Sequence, residues 1–126
     1  MNKLELTKTT IYRNPLWNRL VSEVLPFVQK PGRYVGNELN SIHKIHDDKI
    51  FKVALCFPDM YEIGMSYLGM QILYHLINRR DDSLAERVFA VWPDMEKRMI
   101  EKNIPLFALE SSTPVAQLDM IGFHIT

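Results

Sequence analysis

A chain of 126 residues has room for one compact domain. With 47% apolar, 10% aromatic and 24% charged residues it reads as globular, which excludes disorder for most of its length. Fifteen Lys/Arg balance fifteen Asp/Glu, so net charge offers nothing to draw a polyanion such as nucleic acid. The balance conceals an asymmetry: residues 1–52 hold nine Lys/Arg against five Asp/Glu, and residues 53–126 hold six against ten.

Taken in chain order, Met1 to Thr10 is polar and lacks the apolar core of a signal peptide. Asn14-Pro15 then reads as a helix start, with Asn at the cap and Pro in the first turn. Trp17, Leu20, Val21, Val24 and Leu25 follow at spacings of three and four, and Pro26 stops or kinks the helix. Lys30 to Lys49 is an irregular connector carrying turn signals at Pro31-Gly32 and Gly36-Asn37. The reading therefore divides the chain into an arm of helix and connector, residues 1–49, and a domain over residues 50–126.

Ile50 to Phe57 is a nearly continuous apolar run, the pattern of a strand buried on both faces in a parallel sheet. Pro58 to Gly64 is its loop. A helix follows, with Met65, Leu68, Ile72, Leu73, Leu76 and Ile77 as the expected inward stripe, Gly69 completing it and His75 on the opposite face. Arg87 to Trp92 is the second strand, about 30 residues after the first, as a strand–helix–strand unit requires. Pro93-Asp94 opens a helix running to Asn103, with Asp94 and Arg98 as a favourable i, i+4 pair. Leu106 to Leu109 reads as a third strand and Met120 to Ile125 as a fourth. The fold class is α/β: a Rossmann-like open, mostly parallel sheet with flanking helices, preceded by a short N-terminal helix. The last apparent strand is followed by neither loop nor helix, so the sheet is expected to be truncated.

A single Cys56 permits no disulfide, zinc cage or protein-borne iron–sulfur cluster and points to a reducing compartment, the cytoplasm. No stretch approaches the roughly 18 apolar residues of a membrane span, so no membrane partner is expected. Ligand chemistry concentrates in the loop after the first strand, where open parallel sheets bind their ligands. Pro58, Asp59, Tyr61, Glu62, Gly64, Met65 and Ser66 are the candidate cofactor-binding residues, the amides near Gly64 serving an anion and the glycine letting a ligand approach the backbone. Asp59 and Glu62 oppose an anion there, and no glycine-rich nucleotide fingerprint is present. Met60, Met65 and Met70 read as core filling rather than soft-metal ligands. His43 and His46 read as part of a solvated loop, His124 as a hydrogen-bonded core histidine and Cys56 as an inert core thiol. No catalytic residues and no metal ligands are assigned.

Longer motifs carry a resemblance: Lys30-Pro31-Gly32-Arg33-Tyr34-Val35-Gly36-Asn37-Glu38-Leu39-Asn40, then Ala54 through Gly69, Leu73 to Asn78, Glu86 to Ala90, Trp92 to Glu96 and Leu109-Glu110-Ser111. From about Asn14 onward these resemble the N-terminal region of a family of radical S-adenosylmethionine proteins with a cobalamin-binding-like domain. The resemblance implies a following catalytic domain as partner, holding a 4Fe-4S cluster on a three-cysteine motif that binds S-adenosylmethionine. It also implies cobalamin for this domain. Asp59 through Gly64 keeps the Asp and Gly of the Asp-x-His-x-x-Gly motif but puts Tyr61 where the cobalt-ligating His stands, and His124 stands where a small residue is expected. The function so implied is an accessory N-terminal domain, binding a corrinoid or substrate and not catalytic alone. The alternatives are a stand-alone flavodoxin-like module for ligand or protein binding, and an inactive fragment.

Overall fold

A computed structural model describes residues 11–125. The N-terminal helical run starts where the Asn14 side chain accepts the Leu16 N–H at 3.0 Å. It comprises α1 (Leu16–Arg19), a wider π turn (Leu20–Val24) and a 3-10 turn (Leu25–Phe27) that contains Pro26. Proline has no N–H to continue the helical ladder, which ends the run here. Leu20, Val24 and Leu25 point inward, whereas Val21 remains exposed. Another 3-10 turn (Pro31–Tyr34) leads into the connector.

Three strands form one all-parallel sheet: β1 (Phe51–Phe57), β2 (Ser83–Phe89) and β3 (Met120–Phe123), in the order β2-β1-β3. Between β1 and β2 lie a single turn, α2 (Tyr61–Gly64), and the long α3 (Leu68–Asn78). Between β2 and β3 lies α4 (Pro93–Glu101). The architecture is the expected α/β one. Because β1 is central, its residues are buried on both faces. Val53, Leu55 and Phe57 pack with Met70 and Tyr74 of α3, while Ala54 and Cys56 pack with Val88 and Ala108 on the other side. A further core joins the N-terminal run to α4: Leu20, Val24, Leu25 and Tyr34 meet Met95, Met99, Ile104 and Phe107.

Several expectations are corrected. Leu106 to Leu109 is not a strand. Phe107 makes one antiparallel bridge to Pro114, and the Leu109 N–H meets the Arg87 carbonyl, but no ladder forms. The second strand begins at Ser83 rather than Arg87 and ends before Trp92, which instead precedes α4. Helix α4 ends at Glu101, and Asn103 adopts φ 55, a left-handed conformation that asparagine tolerates and that does not continue a helix. Arg98 donates to the Glu23 carbonyl and sits 3.5 Å from Glu101, so its pairing with Asp94 is not made.

The largest correction concerns α3. Leu68, Ile72, Leu73 and Leu76 are exposed, between 51% and 70%, and His75 lies beside Ile72 and Leu76 rather than opposite them. The inward face is Met70, Tyr74 and Asn78, whose side-chain amide bonds both backbone groups of Ala85 in β2. No helix among the described residues is long and apolar enough to cross a membrane.

Candidate functional site

The loop after β1 stands at the carboxyl edge of the sheet, and the structure brings its candidate residues together on one short turn. Pro58 and Asp59 lead out of the strand. The Asp59 carbonyl accepts the Ala90 N–H at 2.9 Å, tying the loop to the end of β2, and its exposed carboxylate accepts the Met60 N–H. The amides of Ile63, Gly64, Met65 and Ser66 donate to the Met60, Met60, Tyr61 and Ile63 carbonyls, so they are engaged within the loop itself. Ser66 is exposed and its hydroxyl donates to the Glu62 carbonyl. Gly64 is buried, and a Cβ there would run into the Phe89 ring. The space that glycine leaves is filled by the protein.

Side chains of this loop reach into a buried ionic cluster that sequence reasoning did not find. The Tyr61 hydroxyl donates to Glu38 at 2.5 Å, and Ser41 donates to the other oxygen of the same carboxylate. Burial pushes Glu38 up, but those two hydrogen bonds outweigh it and hold the carboxyl below its ordinary value. Burial and the neighbouring carboxylate both push the Tyr61 phenol far up, so it stays protonated. Glu38 lies 3.6 Å from Arg87, which is wholly buried on β2. Arg87 Nε and its backbone N–H both donate to the Glu110 carboxylate at 2.9 Å, one Nη to the Met65 sulfur and the other to Ser41. The Tyr74 ring closes the cluster with the guanidinium 4.3 Å from its centroid. Glu62 is exposed and pairs with Arg33 at 2.8 Å.

Strand alternation places Glu86 on the opposite face of β2, also buried. It meets His46 at 3.1 Å and accepts the Ser111 hydroxyl at 2.5 Å. Thr113 lies 2.6 Å from Ser111 and 3.4 Å from the second ring nitrogen of His46. Tyr12 stacks on the imidazole, 4.4 Å between centroids. The solvated-loop reading of His46 is therefore corrected, since its side chain is only 7% exposed. His43 is partly buried, and burial pushes its imidazole down. His124 stacks on Phe57 and Tyr67, and its Nε2 has no hydrogen-bond partner among the described residues, unlike the hydrogen-bonded core histidine expected. The signal for the ionic cluster was present in β2: charged neighbours Glu86 and Arg87 within a strand require partners on both faces.

Burial pushes the Glu110 carboxyl up to about 7, against the pull of Arg87. A folded-state value above the unfolded one contributes stability that is complete below the unfolded value and lost as pH rises through about 7. Urea unfolding at pH 5 to 8 should therefore show the native chain losing stability relative to Glu110→Gln as pH rises. Parallel pH dependences for the two proteins would contradict this.

Residues 69–126 match the family described as radical SAM proteins, N-terminal, where SAM is S-adenosylmethionine. Over that stretch, a little under half of the chain, the sequence is similar to the N-terminal region of radical SAM proteins. The match begins inside α3 and covers Tyr74, Glu86, Arg87, Glu110 and Ser111, so much of the ionic cluster lies within the matched segment. No curated protein and no solved structure matches the chain.

The family implies a companion catalytic domain that carries a 4Fe-4S cluster and S-adenosylmethionine in the full protein. The donor set of this region does not fit a cluster, which takes several thiolates. Its one thiol, Cys56, is buried in the sheet, where desolvation pushes it up and away from the thiolate form. Among the described residues no group of three His, Cys, Asp or Glu is placed to hold a metal ion.

Proposed function

We propose that this chain is the non-catalytic accessory domain of a radical S-adenosylmethionine enzyme, and that its β1 loop, Pro58 to Ser66, presents the binding surface for a corrinoid or the substrate. The observation that carries this reading is the placement of that loop. It sits at the carboxyl edge of an open parallel sheet, where such sheets bind ligands. Its Tyr61 is also anchored through Glu38 to a buried arginine. Such anchoring holds a surface turn in one conformation, so a ligand meets a preorganised site.

A corrinoid fits this loop only without a protein axial ligand. The loop contains no imidazole, and the Tyr61 hydroxyl is committed to Glu38. The groups that remain for a ligand are the exposed Asp59, Glu62 and Ser66, acceptors suited to amide N–H donors. Chemistry on S-adenosylmethionine belongs to the companion domain, and the reading keeps this domain in a reducing cytoplasm.

Titration with hydroxocobalamin tests the proposal. Binding is expected to leave the absorbance spectrum of water- or hydroxide-ligated cobalt, and Ser66→Trp, a change at an exposed site, is expected to weaken it at least tenfold. Binding equal in Ser66→Trp, or a spectrum of imidazole-ligated cobalt, would place the corrinoid elsewhere. No binding would remove the corrinoid and leave the substrate as the loop's ligand.

A further inference from the structure

The buried cluster behind the β1 loop carries more negative charge than its arginines can balance. Among the described residues it holds three carboxylates: Glu110, whose side chain has no exposed surface, Glu86 at 2% and Glu38 at 15%. Two guanidiniums oppose them. Arg87 pairs with Glu110 and approaches Glu38, while the charge of Arg13 acts on all three acids. Arg13 itself is held by the Val35 carbonyl and the Trp17 ring. Three negative charges against two positive ones leave one in excess, and an excess charge shut off from water is removed by taking up a proton.

Position decides which acid holds that proton and which one moves without it. Facing Glu110 are Arg87 and Glu86 from β2, Tyr74 from α3 and Arg13 from the segment before α1. Glu38, His43 and His46 of the connector complete the charged and titratable surroundings. His46 turns to Glu86 on the far face of the sheet. Glu110 is fixed, because its oxygens accept the Arg87 Nε–H and backbone N–H at 2.9 Å and none of its surface meets water. The Glu38 contact is the weak one. It stands 3.6 Å from Arg87, beyond hydrogen-bond reach and bridged by the Ser41 hydroxyl, and its chain neighbours Asn37 and Leu39 are exposed.

We propose that Glu110 stores one proton that sets how firmly the cluster grips the β1 loop. With the proton in place, the charge of Arg87 serves Glu38, and Glu38 holds Tyr61. When the proton leaves to solvent, Arg87 is drawn to Glu110, Glu38 swings toward water, and Tyr61 loses its acceptor. Burial places this exchange near neutrality, at about 7. The loop is thus ordered at pH 6 and loosened at pH 8. The inference rests on the proposed binding surface only for its use, and its test needs no ligand, so it and the corrinoid reading fail separately.

Amide hydrogen exchange of the full chain, read as protection factors at pH 6 and pH 8, tests the coupling. Ile63, Gly64 and Met65, whose N–H groups bond within the loop, should lose protection about tenfold across that range, the worth of one hydrogen bond to a charged group. Glu110→Gln, which cannot ionise, should keep the higher protection at both pH values. Tyr61→Phe should show the lower protection in the loop at both, while Ala54 and Leu55 of the central strand keep their native pH dependence. Glu96→Gln, at an exposed site, should behave as the native chain. Loop protection equal at the two pH values in the native chain, a pH response surviving in Glu110→Gln, or a loop in Tyr61→Phe that still follows the central strand with pH would each overturn the proposal.

Discussion

Replacing Arg87 by Met is expected to cost the fold about 3–5 kcal/mol, the usual penalty for removing one member of a buried ion pair. The guanidinium is the direct salt-bridge partner of Glu110, and it also approaches Glu38 and lies over the Tyr74 ring. Its removal leaves the Glu110 carboxylate without a charge partner in a site with no water-facing surface. The loss should be greatest near pH 8 and smaller near pH 5, where the carboxyl sheds its charge by taking up a proton. Urea unfolding at the two pH values measures both effects. In the double variant Arg87→Met, Glu110→Gln, much of the stability should return, since neither charge then remains buried alone. A single variant that unfolds at the native midpoint at pH 8 would show that the pair contributes nothing net.

The second large effect is expected at Gly36. This residue adopts φ +67, and a Cβ there would lie 2.5 Å from the Leu109 carbonyl oxygen and 3.2 Å from the Glu110 Cα. Left-handed strain in a residue with a side chain costs about 1–2 kcal/mol, and overpacking adds about 1–3 kcal/mol. Gly36→Ala should therefore destabilise by about 2–5 kcal/mol in thermal or urea unfolding. It should also loosen the Glu38–Tyr61 contact two residues on, visible as increased amide exchange in the β1 loop. Gly32, whose added Cβ would meet nothing within 4 Å, is the control, and Gly32→Ala should be near neutral. Comparable losses at the two positions would refute the close-approach argument.

The elements most legible in the sequence were those whose partners are apolar and local. β1 declares itself because a central parallel strand is apolar on both faces, and Asn14-Pro15 declares a helix start because the cap is a local interaction. The inward face of α3 was not legible. Its leucine stripe has the right period, yet Tyr74 and Asn78 turn inward because β2 offers Arg87 to the ring and the Ala85 backbone to the amide. Helical periodicity reports which residues share a face, and cannot say that a face with polar tips has better partners. The same holds for Leu106 to Leu109, which has strand composition but makes only isolated contacts with neighbouring backbone. The place of the β1 loop at the carboxyl edge of the sheet was readable from the strand pattern. Glu38, Ser41 and Glu110, which brace that loop, come from segments distant in sequence, and no local pattern links them to it. Gly64 was read as space for a ligand, whereas Phe89 occupies that space.

The adjacent charges of β2 also act as a pin against sliding. In a strand whose two faces were both plainly apolar, a shift of one residue along its neighbour would exchange one greasy surface for another at modest cost. Here the same shift would carry Glu86 toward Glu110 and Glu38, acid against acid, and leave Arg87 facing His46, while both original pairs were lost. Two charges of opposite sign, side by side and each matched on its own face, thus encode the alignment of β2 with β1 by electrostatics where hydrophobic pattern alone is degenerate. The strand has one setting in which every charge is answered, and the neighbouring settings are penalised from both sides of the sheet at once.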